Sequence, residues 1–267
     1  MRRKVRAMII VLGAAVYLLL AILYLRNTES VTNGQWWSAS RESAGIAPDP
    51  RTTPEPVVQV YAARTVGWRG YIGVHTWIAV KRANASHFTV YEVIGYRISS
   101  GNVVVASNRH PDGYWFGARP ELLSDARGEG VDRIIDDIET AARSYPYASR
   151  YRVWPGPNSN TFVAWVLRHA PTLHADLPTT AIGKDYLGWL PVAKAPSNTG
   201  LQLNVLGVFG VIVAWREGIE VNILGLSFGI DPRRLSIKLP LIGRIGLVGN
   251  HFPSRLQTNS SAPRKTL

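Results

Sequence analysis

Nineteen consecutive residues without a charge, from Ala7 to Leu25, constrain this chain more than any other feature of its 267 residues. As a helix the run rises about 28 Å, close to the ~30 Å hydrocarbon core of a bilayer. Arg2, Arg3, Lys4 and Arg6 precede it and Arg26 follows. The excess of cations on the N-terminal side predicts a cytoplasmic flank and one transmembrane helix within residues 1–26, with everything beyond on the opposite side. Membrane lipid is then a partner through that helix. A cleaved signal peptide is the competing reading. It wants a shorter apolar region and a small-x-small site, whereas Tyr24-Leu25-Arg26 ends this run. No second span is expected, because Arg216, Glu217 and Glu220 interrupt the apolar stretch between Leu201 and Ile230.

A chain that is 46% hydrophobic and 18% charged folds around a core. Its lack of cysteine excludes disulfides, thiolate metal sites and a cysteine nucleophile. The net charge of +12 invites nucleic acid. The basic residues are scattered, however, with no run joining them to aromatics, and nucleic acid is not an expected partner.

Residues 27–56, with Pro48, Pro50, Pro54 and Pro56, read as a spacer. An α+β domain is expected over 57–251, made of a core at 57–187 and a strand-rich extension at 188–251, with a disordered tail at 252–267. Alternating apolar residues predict strands at VVQVYAAR, Tyr71 to Val80, FTVYEVIGYR and NVVVAS, forming an antiparallel sheet. The period then changes. Ile134, Ile135, Ile138, Ala141, Ala142 and Tyr145 share one face of a helix, with Asp136, Asp137, Glu139 and Arg143 on the other. A second helix, NTFVAWVLRHA, starts after Asn158-Ser159, both good caps, and ends before Pro171. Glycines recur in the later strand-like runs and mark bulges or twisted hairpins.

Two places carry candidate chemistry. His75 sits inside a strand among apolar neighbours, where its ring nitrogens need partners or a cleft. Ser159 opens a helix, where free backbone N–H groups can hold an oxyanion. Capping alone also explains Asn158-Ser159, and a buried hydrogen bond alone explains His75. A nucleophile needs a base oriented by a third group. His75 as base, Ser159 as nucleophile and Glu92 as orienting carboxylate form that set. His87, Tyr91 and Asn108 are weaker third members, and strand parity stays open. No metal site or cofactor is expected. His169, His174 and Asp176 lack a metal-ligand spacing, and no phosphate-binding glycine motif is present.

VHTWIAVK, WFGARPELL and YRVWPGPNSNTFVAWVLRHAP together resemble a bacterial uncharacterised-protein family, domain of unknown function 3750, over about Val57 to Leu187. That resemblance implies no activity. With a bacterial source, the anchor implies a single-pass inner-membrane protein whose domain lies on the periplasmic side. The order of strand histidine and Asn-x-x-x-Phe helix is distantly similar to circularly permuted papain-like enzymes of the cell-wall endopeptidase and lecithin retinol acyltransferase type. On that pattern His75 matches the base, Ser159 falls on the cysteine, Phe162 packs the helix inward and Glu92 takes the third position. Serine in place of cysteine is the departure, because a hydroxyl gives up its proton far less readily than a thiol. The expected function is a membrane-anchored, non-catalytic binding or structural module with a papain-like cleft for a cell-wall or lipid ligand. The alternative is a serine-nucleophile amide or ester hydrolase or acyltransferase.

Overall fold

The computed structural model describes residues 38–247 and, nearer the N-terminus, residues 3, 4, 6, 8, 11, 13, 15, 17–19, 21 and 22. The proposed tail at 252–267 and the first part of the spacer lie outside the described residues.

Five strands form the first sheet: β1 (Val57–Arg64), β2 (Val74–Lys81), β3 (Thr89–Val93), β4 (Val104–Ser107) and β5 (Glu121–Arg127). They pair antiparallel in the order β4-β3-β2-β1-β5. β1 and β2 lie inside the sheet and are buried on both faces, which accounts for their nearly continuous apolar character. Val58, Val60, Ala62, Ile78 and Val80 face two helices, α1 (Val131–Arg143) and α2 (Ser159–His169). Ile134, Ile135, Ile138 and Phe162 are the helical side of that core. The alternate residues Tyr61, Trp77, Ala79 and Val90 form a second cluster on the other face, with Trp115 packed against it.

Seven short strands follow: β6 (Val192–Lys194), β7 (Gly200–Val205), β8 (Phe209–Ala214), β9 (Gly218–Ile223), β10 (Leu226–Asp231), β11 (Ser236–Leu239) and β12 (Gly243–Gly246). They make an antiparallel meander in sequence order. The β9–β10 hairpin turns through Leu224-Gly225 with φ of 54° and 85°. Positive φ at both central residues matches the right-handed strand twist.

This second sheet is inverted. Its buried face carries Gln202, Asn204, Glu220, Asn222, Ser227, Asp231 and Lys238. The segment between α2 and β6 supplies their partners. Asp185 accepts from Gln202 through its carbonyl at 2.9 Å and from Asn222 through its carboxylate at 3.0 Å. Lys184 pairs with Glu220, and Asp176 with Lys238. Polar groups survive there because they are hydrogen-bonded or ion-paired. The outer face holds three cross-strand apolar rows. One runs Leu201, Val213, Ile219, Ile230, Ile237 and Ile245, and the next Leu203, Val211, Val221 and Phe228. Val205, Phe209, Ile223 and Leu226 complete the third.

Two expectations are corrected. The described residues do not form an α+β domain behind a transmembrane helix: twelve strands in two antiparallel sheets dominate them, with few helices. Among those residues no helix is long and apolar enough to cross a membrane, so the single-pass inner-membrane placement is not supported. Length and hydropathy alone made residues 7–25 read as a span. The fold adds tertiary contacts that hydropathy does not register. The Tyr17 hydroxyl donates to the Pro240 carbonyl at 2.7 Å, and Ala21 is buried.

Candidate functional site

Strand β2 delivers His75 and β3 delivers Glu92 to one buried position. His75 Nε2 lies 2.9 Å from Glu92 Oε2. Arg109 grips the same carboxylate with Nε at 2.8 Å and Nη2 at 3.1 Å. The imidazole stacks on Trp115 with centroids 3.7 Å apart and planes 9° from parallel. The Arg109 guanidinium lies 4.7 Å from the Trp77 ring centroid. Burial pushes Glu92 up, but the His75 hydrogen bond and the Arg109 charge outweigh it and hold the carboxyl at about 2. Burial lowers His75, and Glu92 only partly offsets that.

Ser159 stands elsewhere. It opens α2, where Asn158 is the cap: its Oδ1 accepts from the backbone N–H of Asn160 at 2.9 Å and of Thr161 at 3.2 Å. The Thr161 hydroxyl accepts from the Asn158 N–H and closes the capping box. Asn158 Nδ2 ties the cap to the Val153 and Ile182 carbonyls, each at 3.0 Å. Thr76 faces this helix, donating 3.0 Å to Asn160 Oδ1 and 3.4 Å to the Ser159 carbonyl. Successive strand side chains point to opposite faces, so His75 is directed away from α2, toward Trp77 and Trp115. Among the described residues no hydrogen bond joins His75 to the Ser159 hydroxyl. The structure thus brings His75 and Glu92 together and sets Ser159 across the sheet from them. His87 and Asn108 are exposed, and Tyr91 packs against the helix-side core. His169 is turned to its own helix, with Nδ1 2.8 Å from the Trp165 carbonyl.

A cleft of about 640 Å³ opens between the two sheets, at a place the sequence did not single out. β1, β5, the segment His174–Thr180 and the ends of β11 and β12 contribute its walls. Seven cationic side chains line it: Arg64, Arg119, Arg216, Arg233, Arg234, Lys238 and Arg244. The lining carboxylates are Glu121 and Asp176. Asp176 is fully engaged. Lys238 donates to both of its oxygens at 3.1 Å, and Arg244 also donates to it. Burial would raise Asp176, but Lys238, Arg244 and Lys184 outweigh it and keep the carboxyl below the usual range. Behind the lining, Arg244 pairs with Asp231 at 2.7 Å, and Lys238 with Glu220.

Two lining groups are left over. Among the described residues the Arg216 guanidinium makes no hydrogen bond or ion pair. Burial, then neighbouring Arg233, lowers its pKa. His174 Nδ1 is buried without a hydrogen-bond partner. Burial, then Arg216, lowers that imidazole.

Residues 55–186 match the family model described as Protein of unknown function (DUF3750). That segment is therefore similar to an uncharacterised family. The DUF3750 match spans the first sheet, both helices and the cap of α2, and stops before β6. It brings His75, Glu92, Ser159 and part of the cleft wall under one family model and attaches no activity to them. No curated protein and no solved structure matches the chain, so the distant papain-like likeness rests on residue order alone.

Proposed function

We propose that this protein is a binding module whose inter-sheet cleft takes a small anionic ligand bearing phosphate or carboxylate groups. The observation that carries the proposal is a pair of cleft-wall groups without a hydrogen-bond partner among the described residues, the half-buried Arg216 guanidinium and the Nδ1 of His174. A half-buried guanidinium is partly desolvated, and an anion bound there offers it charge-assisted hydrogen bonds. The charge balance supports the same reading. Counting Lys184 and the carboxylates Asp185, Glu217, Glu220 and Asp231 behind the lining, eight cations face six carboxylates.

The serine-hydrolase alternative has less support. A serine nucleophile needs a base within hydrogen-bond reach, and His75 lies on the far face of β2 with Glu92.

Isothermal titration calorimetry of the full chain with pyrophosphate and with citrate, at low ionic strength, tests the proposal. One of the two anions is expected to bind, with Arg216→Ala and Arg233→Ala each weakening it about tenfold or more, the usual worth of a charge-assisted hydrogen bond. No heat from either anion at millimolar concentration, or equal binding by wild type and both variants, overturns the assignment.

A further inference from the structure

The outer face of the seven-stranded sheet is apolar in every row and open. Leu201, Leu203 and Val213 are 61%, 53% and 56% exposed, respectively. Scattered exposed apolar residues are ordinary, but a contiguous face that crosses a whole sheet marks an interaction surface. We propose that a second copy of this chain covers it, the two faces packing as an isologous sandwich.

Area supports that occupant. Seven strands about 4.8 Å apart, each about five residues long at about 3.3 Å per residue, present a face of roughly 500–550 Å². Two such faces bury about 1,000–1,100 Å² in total, which clears the ~1,000 Å² floor of a biological interface. A sheet face is also self-complementary in the way a twofold axis requires, because alternating rows from two copies interdigitate about 10 Å apart.

Charge placement supports it as well. Among the described strand residues on this face, Lys194 on the edge strand is the charged one. Lys238 and Arg244 have the opposite parity and turn inward to Asp176. The net positive charge is therefore kept off the contact, where it would repel a second copy. Those same cations are unavailable to the headgroups of an anionic lipid surface.

Sedimentation velocity of the full chain, beside Leu203→Lys/Val213→Lys and Leu203→Lys alone, tests the inference. The wild type is expected at twice the chain mass of 29.4 kDa. The variants are expected at the single mass with unchanged circular dichroism. Both positions are exposed, and the single lysine serves if the pair fails to fold. A monomeric wild type overturns the inference, as does a dimer that survives the lysines. Mixed phosphatidylcholine–phosphatidylglycerol vesicles provide the remaining arm: a monomer that pellets with them gives the face to lipid and overturns it too.

Discussion

His75 Nε2 lies 2.9 Å from Glu92 Oε2, while the next residue, Thr76, hydrogen-bonds across the other face of β2 to Asn160. One step along a strand therefore separates the histidine from the helix that carries Ser159. Glu92, held by His75 and doubly by Arg109, has the environment of a buried structural anion.

Glu92→Gln should consequently destabilise the fold. Removing one partner of a buried charge network costs about 3 kcal/mol. The carboxyl sits at about 2 in the folded protein and at the ordinary 4.5 when unfolded. A depressed carboxylate contributes stability that is present above the unfolded value and lost as pH falls toward the folded one. The gap between wild type and Glu92→Gln should be full at pH 7 and narrow from about pH 4.5 to 2. Urea unfolding across that range measures it. A gap that stays constant means that Glu92 is not ion-paired.

The start of α2 separates capping from catalysis. Asn158→Ala removes two cap bonds and two tethers to loop carbonyls, and should cost about 2 kcal/mol or more. Gly183→Ala should act in the same direction. Its φ is +93°, and an added Cβ would collide with the Asn158 side-chain amide. Ser159→Ala should cost less than Asn158→Ala, because among the described residues the buried Ser159 hydroxyl has no hydrogen bond in the cap to lose. A fluorophosphonate probe should leave Ser159 unlabelled. Labelling that disappears in both Ser159→Ala and His75→Ala would restore the hydrolase reading.

The sequence made the strands and helices visible wherever periodicity was strong. β1, β2, β3, β4, α1 and α2 lie on the stretches that alternation and the helical stripe marked, although the expected strands starting at Tyr71 and ending at Arg97 overrun β2 and β3 into turns. β5 was missed, because Glu121, Asp125 and Arg127 give the edge strand ELLSDAR a polar look. The proximity of Glu92 to His75 followed from neighbouring strands, but which face His75 takes depends on a register that residue types do not encode. The second sheet misled for a different reason. Its alternation was plain, yet the polar set is the buried one, because Asp176, Lys184 and Asp185 wait beneath it. The cleft was illegible altogether: Arg64 and Arg244 are far apart in sequence and meet only through topology.

Salt should weaken anion binding in the cleft. Partly buried cations are screened less than surface ones, but the net positive field that draws the ligand in is screened within about 8–10 Å at 0.1–0.15 M. Raising sodium chloride over that range should lower the affinity of whichever anion binds. Calorimetry at two salt concentrations checks this. Salt-independent heats would indicate that the additive binds elsewhere or through apolar contacts.

His174 should report ligand binding directly. Burial, then the charge of Arg216, holds its pKa below the usual 6.5. A histidine depressed in this way costs stability as pH drops below the unfolded value, because the unfolded chain takes up the proton first. An anion beside His174 reverses the local field and favours the imidazolium. Binding should therefore raise the His174 pKa, and affinity should increase as pH falls below about 6.5, by at most about tenfold per pH unit for one coupled proton. Arg216→Ala should raise the same pKa without ligand, since it removes the second of the two causes of the depression. Imidazole shifts in a pH titration by NMR, with and without pyrophosphate, read both effects. A His174 titration that is indifferent to both the anion and the substitution places the bound charge away from the cleft wall.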